Sequence, residues 1–284
     1  MVRSWEVAAD LLPFDARPVL PKERQRLVRL LRGLRDEDWM RPTVCAGWTV
    51  HDVALHLLGD DLGRLGRQSA SRACMGELDF LDLARRIERS NEDWVAVARR
   101  IPPPLVVEFI RVTGREVDRA FAGLDMLAPG VAVAWTGTGP SPWWLDIARE
   151  YTERWVHHQQ IREAVGQPLL TSRPWLHPVL ATFMRSLPLA YDSIAAPPGT
   201  RVCVVVDGSA GGRWVLERSD ERWRLVPETD SPPMTEVRLD QDLAWRLLTR
   251  LVPVDDAVRL VKIRGDRTLG VPATRAIAVM TTNL

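Results

Sequence analysis

Along residues 21–35, PKERQRLVRLLRGLR, the apolar positions Leu27, Leu30, Leu31 and Leu34 fall on one helical face, with arginine and lysine on the other. This spacing predicts an amphipathic helix opened by proline. The stretch DEDWMRPTVCAGW reads as a loop. Thr49 then starts a second helix, and Thr49-x-x-Asp52 has the form of a capping box with Asp in the usual Glu place. Its apolar stripe is Val50, Val53, Ala54, Leu57 and Leu58, and it runs to about Gly66. Residues 80–100 read as a third helix, broken by Ile101-Pro102-Pro103-Pro104. Helical spacing resumes over 105–124 with Leu105, Phe109, Val112, Val117 and Phe121. APGVAVAWTGTGPSP is a Gly/Pro loop. Trp143–Val165 forms a long helix with Gly166 at its C-cap.

After Gly166 the period changes. Pro174–Ala190 predicts one more helix, and IAAPPGT marks a boundary. RVCVVVDG, GRWVLER, ERWRLVP and TEVRLD are short β-rich runs parted by Gly, Asp and Pro, as in an antiparallel meander. A helix over Asp240–Leu251, a strand with a turn in VRLVKIRGD and a closing helix over Thr268–Met280 complete the pattern. Strands with segregated helices make an α+β class. The expected organisation is a helix bundle over 1–170, a linker or extra helix over 171–200 and an α+β domain over 201–284. The chain has no internal repeat.

Composition narrows the partners. The 284 residues suffice for two domains. Lys+Arg total 38 against Asp+Glu 37, a net charge of +1, so nothing electrostatic points to nucleic acid or an anionic membrane. The pairs Arg85-Arg86 and Arg99-Arg100 read as solvated helix faces. Cys45, Cys74 and Cys203 form no CxxC pair, which argues against a disulfide framework and fits a reducing cytoplasm. The first twenty residues carry acids and Pro13 and do not read as a signal peptide. No apolar stretch approaches membrane-spanning length. The arginine-rich, lysine-poor and tryptophan-rich usage suggests a high-GC genome.

The candidate chemistry is sparse. Glu153 and His157 are four apart on one helix and share a face. Glu150 lies on the same side. His56 sits mid-helix about a hundred residues earlier, beside Val53, Asp52 and Asp60. Two histidines and one carboxylate are a three-ligand set that leaves a metal position open, the pattern of a catalytic site. A Glu-x-x-x-His pair also occurs on solvated helices, and a lone core histidine is often simply hydrogen-bonded, so spacing alone leaves both readings open. His51, His158 and His177 read as non-ligands; His158 points about 100° away from His157.

CAGWTVHDVALHL resembles the metal-binding helix of DinB-like four-helix bundles. Together with EYTERWVHHQQIREA it resembles the mycothiol-dependent maleylpyruvate isomerase family. That family has a Gly-Trp-Thr-Val-x-Asp-Val-x-x-His-Leu helix and a closing Glu-x-x-x-His helix with valine before the histidine, as Val156 is here. The resemblance implies metal ligands at His56, Glu153 and His157, a divalent ion such as zinc, and a small sterol-carrier-like α+β domain behind the bundle. The family commonly has Asp three residues after the ligand histidine, where this chain has Gln160, and this chain carries extra sequence around 68–115 and 167–200.

The resemblance also implies chemistry. Mycothiol would be the thiol cosubstrate, deprotonated on coordination. Its thiolate would add to a small electrophilic substrate, for isomerisation by addition, rotation and elimination, or for S-transfer. Asp52 and Asp60 are candidates to orient His56. Trp48 and Trp144 are candidate pocket walls, and Arg246, Arg264 or Arg267 a candidate anchor for an anionic substrate. The oligomeric state stays open between monomer and homodimer. Two other readings remain: a small-ligand-binding module whose polar trio is an internal hydrogen-bond network, and a regulatory protein that retains the fold.

Overall fold

The structure, a computed structural model, describes residues 13–69, 80–137, 139–229 and 231–279. Cys74, the first twelve residues and the end of the expected closing helix at Met280 lie outside the described residues. Among the described residues the elements up to residue 190 are helices: α1 (Leu20–Arg32), the single turn α2 (Asp36–Trp39), α3 (Val50–Ser69), α4 (Phe80–Ala98), α5 (Pro103–Ala122), α6 (Trp143–Ala164), α7 (Arg173–Phe183) and the short α8 (Leu187–Ala190). Among the described residues five strands and three further α-helices follow: β1 (Arg201–Asp207), β2 (Gly212–Arg218), β3 (Trp223–Val226), β4 (Thr235–Asp240), α9 (Gln241–Leu248), α10 (Val254–Leu260), β5 (Lys262–Gly265) and α11 (Arg267–Gly270). The class is α+β, as the sequence pattern implies. No described helix is long and apolar enough to cross a membrane.

Helix α1 packs on α5 and α6, and α3 packs on α5 and α6, which closes a four-helix ring. Helix α4 leans on the outside of α3, where the Trp94 indole donates to the Leu55 carbonyl at 2.8 Å. The capping box at the start of α3 is formed. The Asp52 carboxylate accepts from the Thr49 N–H at 2.9 Å, and the Asp52 N–H donates back to Thr49 Oγ1. At the same end of the bundle α6 stops at Gly166. That residue is left-handed at φ 68°, and the Gln167 N–H closes onto the Arg162 carbonyl.

One apolar cluster fills the bundle around Leu27, Leu31, Val53, Leu57, Ile110 and Ile161. A second runs from Leu20, Phe121 and Trp144 through Trp155 into α7 and on to Val204, Leu216 and Trp245 of the sheet domain. Trp155 of α6 meets Trp245 of α9 edge to face at 5.4 Å. Helix α6 is therefore wrapped on nearly all sides, which explains why its apolar residues show little one-sided pattern.

Four details differ from the sequence expectations. The sheet order is β3-β2-β1-β4-β5, and β1 pairs with β4 in parallel, so the sheet is mixed rather than an antiparallel meander. The chain after β3 must cross back past β1 to make that pair. Val258–Leu260 belong to α10, not to a strand; Pro253 caps that helix and Asp255 and Asp256 fill its first turn, favourable at the positive end of a helix. The expected helix over Pro174–Ala190 divides into α7, a tighter turn at Met184–Ser186, and α8, because Pro188 has no N–H to continue the ladder. Likewise Pro272 limits the closing segment to α11 and a 3-10 turn over Val271–Arg275.

Candidate metal centre

His56 comes from the middle of α3 and Glu153 and His157 from α6, and the bundle brings all three together. One atom of each lies within 4.8 Å of the others. A single oxygen, Glu153 Oε1, faces both imidazoles, 3.3 Å from His56 Nε2 and 3.0 Å from His157 Nε2. The rings meet edge to face at 4.6 Å. His56 is only 4% exposed, whereas about a quarter of the Glu153 side chain reaches solvent, so the cluster is buried at the back and open at the front.

Burial alone would raise the Glu153 carboxyl, but hydrogen bonds from His157 and His56 override it and hold it well below the usual carboxylate range. Burial would lower His157; contacts with Cys45 and Glu153 outweigh it and hold the imidazole well above its ordinary value. One carboxylate oxygen aimed at two ring nitrogens needs positive charge between them. Ring N–H hydrogens, with their partial positive charge, supply it in the metal-free protein. A divalent cation would take their place with all three donors already convergent, so the donor set fits such an ion.

The flanking residues separate into neighbours and bystanders. Asp60 Oδ2 is 3.4 Å from His56 Nε2. Burial pushes this carboxyl up, His56 opposes that, and Glu153 adds to it. The Trp48 ring covers His56 at 5.2 Å. Asp52 is spent elsewhere, on the Thr49 cap and on Arg99 at 2.8 Å. Trp144 is buried in the second apolar cluster about 13 Å up the axis of α6, since each residue rises 1.5 Å, and Arg185 lies over its ring. Arg267 and Arg264 are exposed in the sheet domain, and Arg246 pairs with Glu163 and Asp242. None of these three arginines has a contact with the trio among those the structure gives. His51 binds the Ile101 carbonyl, His177 the Ala210 carbonyl, and His158 Nδ1 sits 2.6 Å from Glu23, so each is satisfied away from the cluster.

Two features escaped the sequence. Gln160 Oε1 accepts from His157 Nδ1 at 2.7 Å and from Cys45 Sγ at 3.1 Å. Behind the trio lies a buried lattice of charge. Arg64 binds Asp146 at 2.6 Å and Glu150 at 2.8 Å, Arg154 binds Glu150 at 3.0 Å and also Asp61, and Arg24 binds Asp61 at 2.7 Å. Glu150 thus belongs to this lattice and not to the trio. Burial would raise its carboxyl, but Arg64, Arg154 and Arg149 hold it well below the usual range. Arg24 reaches Asp61 by crossing α5 at Gly114, where any Cβ would stand about 2.0 Å from the guanidinium. A helical spacing of four, Asp146, Glu150, Arg154 and His158, marks the buried polar stripe of α6. It was readable as a stripe but not as an inward one.

The fold and the cluster define a class: a helix bundle that gathers two imidazoles and a carboxylate at one end and carries a small α+β domain behind it. The family model of the mycothiol maleylpyruvate isomerase N-terminal domain matches residues 20–162, and the chain belongs to that family. A crystal structure of the mycothiol-dependent maleylpyruvate isomerase aligns with a TM-score of 0.50 at 13% identity, covering 84% of this chain and 89% of that one. The structure of a histidine-to-alanine mutant of the same isomerase aligns with a TM-score of 0.50 at 12% identity over the same shares. At that identity the likeness speaks for the fold. No curated protein matches the chain in sequence.

Proposed function

We propose that this protein is an isomerase or S-transferase that uses a divalent metal, zinc by preference, and mycothiol to act on a small electrophilic substrate. The observation that carries the reading is the convergence of His56, Glu153 and His157 in a chain of this family. In this reading residues 1–170 hold the metal, 171–200 connect, and 201–284 back the bundle. Unpaired Cys45 and Cys203 suit the reducing cytoplasm in which a thiol cosubstrate persists.

His56, Glu153 and His157 would hold the ion, which supplies positive charge that favours the thiolate of a bound thiol. The protein's own groups do the rest. Trp48 shields the His56 side of the cluster from water. Asp60, its carboxyl raised by burial and by Glu153 against the pull of His56, is placed to take or return a proton beside His56. A sterol-carrier-like role for the sheet domain has less support. The apolar cavity between sheet and helices, near Met184, Val204, Leu239 and Leu248, has a volume of about 10 Å³, room for one water.

Metal analysis of the purified protein, followed by assay with mycothiol and maleylpyruvate and then a panel of other electrophiles, tests the reading. About one divalent ion per chain and thiol-dependent turnover are expected. A metal-free protein inert with every electrophile would sink it.

The proton balance gives a pH dependence. Without metal, Glu153's depressed value means that its contribution to stability is present above the ordinary carboxylate range and is lost as pH falls through the folded value. His157's raised value means that its contribution is complete below the ordinary imidazole value and is lost as pH rises through the folded one. Zinc competes with the His157 proton, so affinity rises with pH while that proton is still bound, by about tenfold per unit for one proton released. Calorimetric titrations between about pH 6 and about pH 8 check this; affinity that is flat or falling over that range contradicts it.

A further inference from the structure

Gln160 is only 5% exposed, and its side-chain carbonyl faces one ring nitrogen of a proposed ligand. An amide oxygen has no proton to give, so in the 2.7 Å contact His157 Nδ1 is the donor. The Cys45 thiol donates to the same oxygen at 3.1 Å, which occupies its second lone pair and fixes which way the amide points. With Nδ1–H held by Gln160, the charged ring also donates from Nε2 to Glu153 Oε1 at 3.0 Å, and this second hydrogen is the one a cation displaces to reach the Nε2 lone pair.

We propose that Gln160 is a positioning residue for the metal centre, whose carbonyl fixes the Nδ1–H tautomer of His157 and so commits this histidine to bind a divalent cation through Nε2. The proposal rests on the metal reading above but has its own geometry. If Nδ1 lost its acceptor, either nitrogen of His157 could carry the hydrogen, and the ring could also rotate. Both changes remove a pre-set ligand. Glu at this position would retain the acceptor, while Leu would keep the approximate volume and remove it.

The experiment is long-range ¹H–¹⁵N NMR of His157 in the metal-free protein, at a pH alkaline enough to leave the ring neutral, paired with zinc titration of the wild type, Gln160→Leu and Gln160→Glu. Wild type should show hydrogen on Nδ1. Gln160→Leu should lose that preference and bind zinc about 10- to 100-fold more weakly, and Gln160→Glu should recover both. A wild-type ring with its hydrogen on Nε2 overturns the proposal without any variant. So does a Gln160→Leu protein with the wild-type tautomer and zinc affinity within about twofold of wild type. A wild type that shows the Nδ1–H tautomer yet binds no zinc defeats the metal reading and leaves the Gln160–His157 assignment standing.

Discussion

His56→Ala and Glu153→Ala, purified in parallel with wild type, should carry almost no zinc and should lose mycothiol-dependent turnover by on the order of a thousandfold or more. A bound cation contributes several kcal/mol of charge stabilisation, and each 1.4 kcal/mol or so is tenfold in rate. Glu153 has the larger structural reach of the two, because its Oε1 is the atom common to both histidines. Its loss leaves two imidazoles with their centroids 4.6 Å apart and no negative charge between them. The cluster opens to solvent at the front, so the same variants should unfold within a few degrees of wild type. Metal content and turnover fall together, and the melting temperature falls only by the few degrees that the bound ion and the Glu153 contacts contribute. Variants that keep the full metal complement would remove these residues from the ligand set.

Asp61→Ala should do the reverse, with stability lost first. Asp61 is wholly buried and takes both Arg24 and Arg154, and Thr113 donates to it at 2.7 Å. Removing it leaves two guanidinium groups in the bundle core short of a counter-charge, and breaking such a pair costs about 3–5 kcal/mol. For a chain of this size that is a drop on the order of 10 °C in melting temperature. Arg119–Glu116 makes a similar pair on the surface of α5, with both side chains largely in water, and Glu116→Ala should cost about 0.5 kcal/mol or less. Urea titrations of the two variants side by side give the comparison. A loss below about 1 kcal/mol for Asp61→Ala would mean that water or backbone relaxation takes over its role. Replacing the whole lattice by apolar residues of matched volume is a different experiment and need not destabilise, since desolvating the charges already offsets much of their attraction.

The trio was legible because its chemistry is unusual for a helix face: Glu-x-x-x-His on one helix, a lone histidine in an apolar stripe on another. Asp60 followed from its place one turn beyond His56, and Trp48 from the helix start two turns before it. Asp52 misled by proximity; four residues before His56 it lies one turn away, yet Thr49 and Arg99 hold it at the helix start. Gln160 was visible only as a departure from a pattern, because no spacing rule says which glutamine turns its carbonyl to a histidine. Arg64 and Arg24 were invisible for a deeper reason. A periodic apolar stripe marks the inside of a helix only when the polar residues are outside, and in α6 Asp146, Glu150, Arg154 and His158 are all inside. The parallel pairing of β1 with β4 escaped for a topological reason. Short β runs with turn signals specify neighbours along the chain, and this pair skips two strands.

The charge lattice also works as an angular index for α6. Apolar side chains on a helix that is wrapped all round are nearly interchangeable: a slip by one residue turns the helix about 100° and still buries oil against oil. Asp146, Glu150 and Arg154 are not interchangeable, since each has a partner of opposite sign at one azimuth on α3. Any other rotation sets a buried charge against nothing. Glu153 and His157 lie on the same rigid rod, so the azimuth the lattice selects is the azimuth at which they face His56. A set of ion pairs with no atom at the centre thereby decides where the centre is aimed.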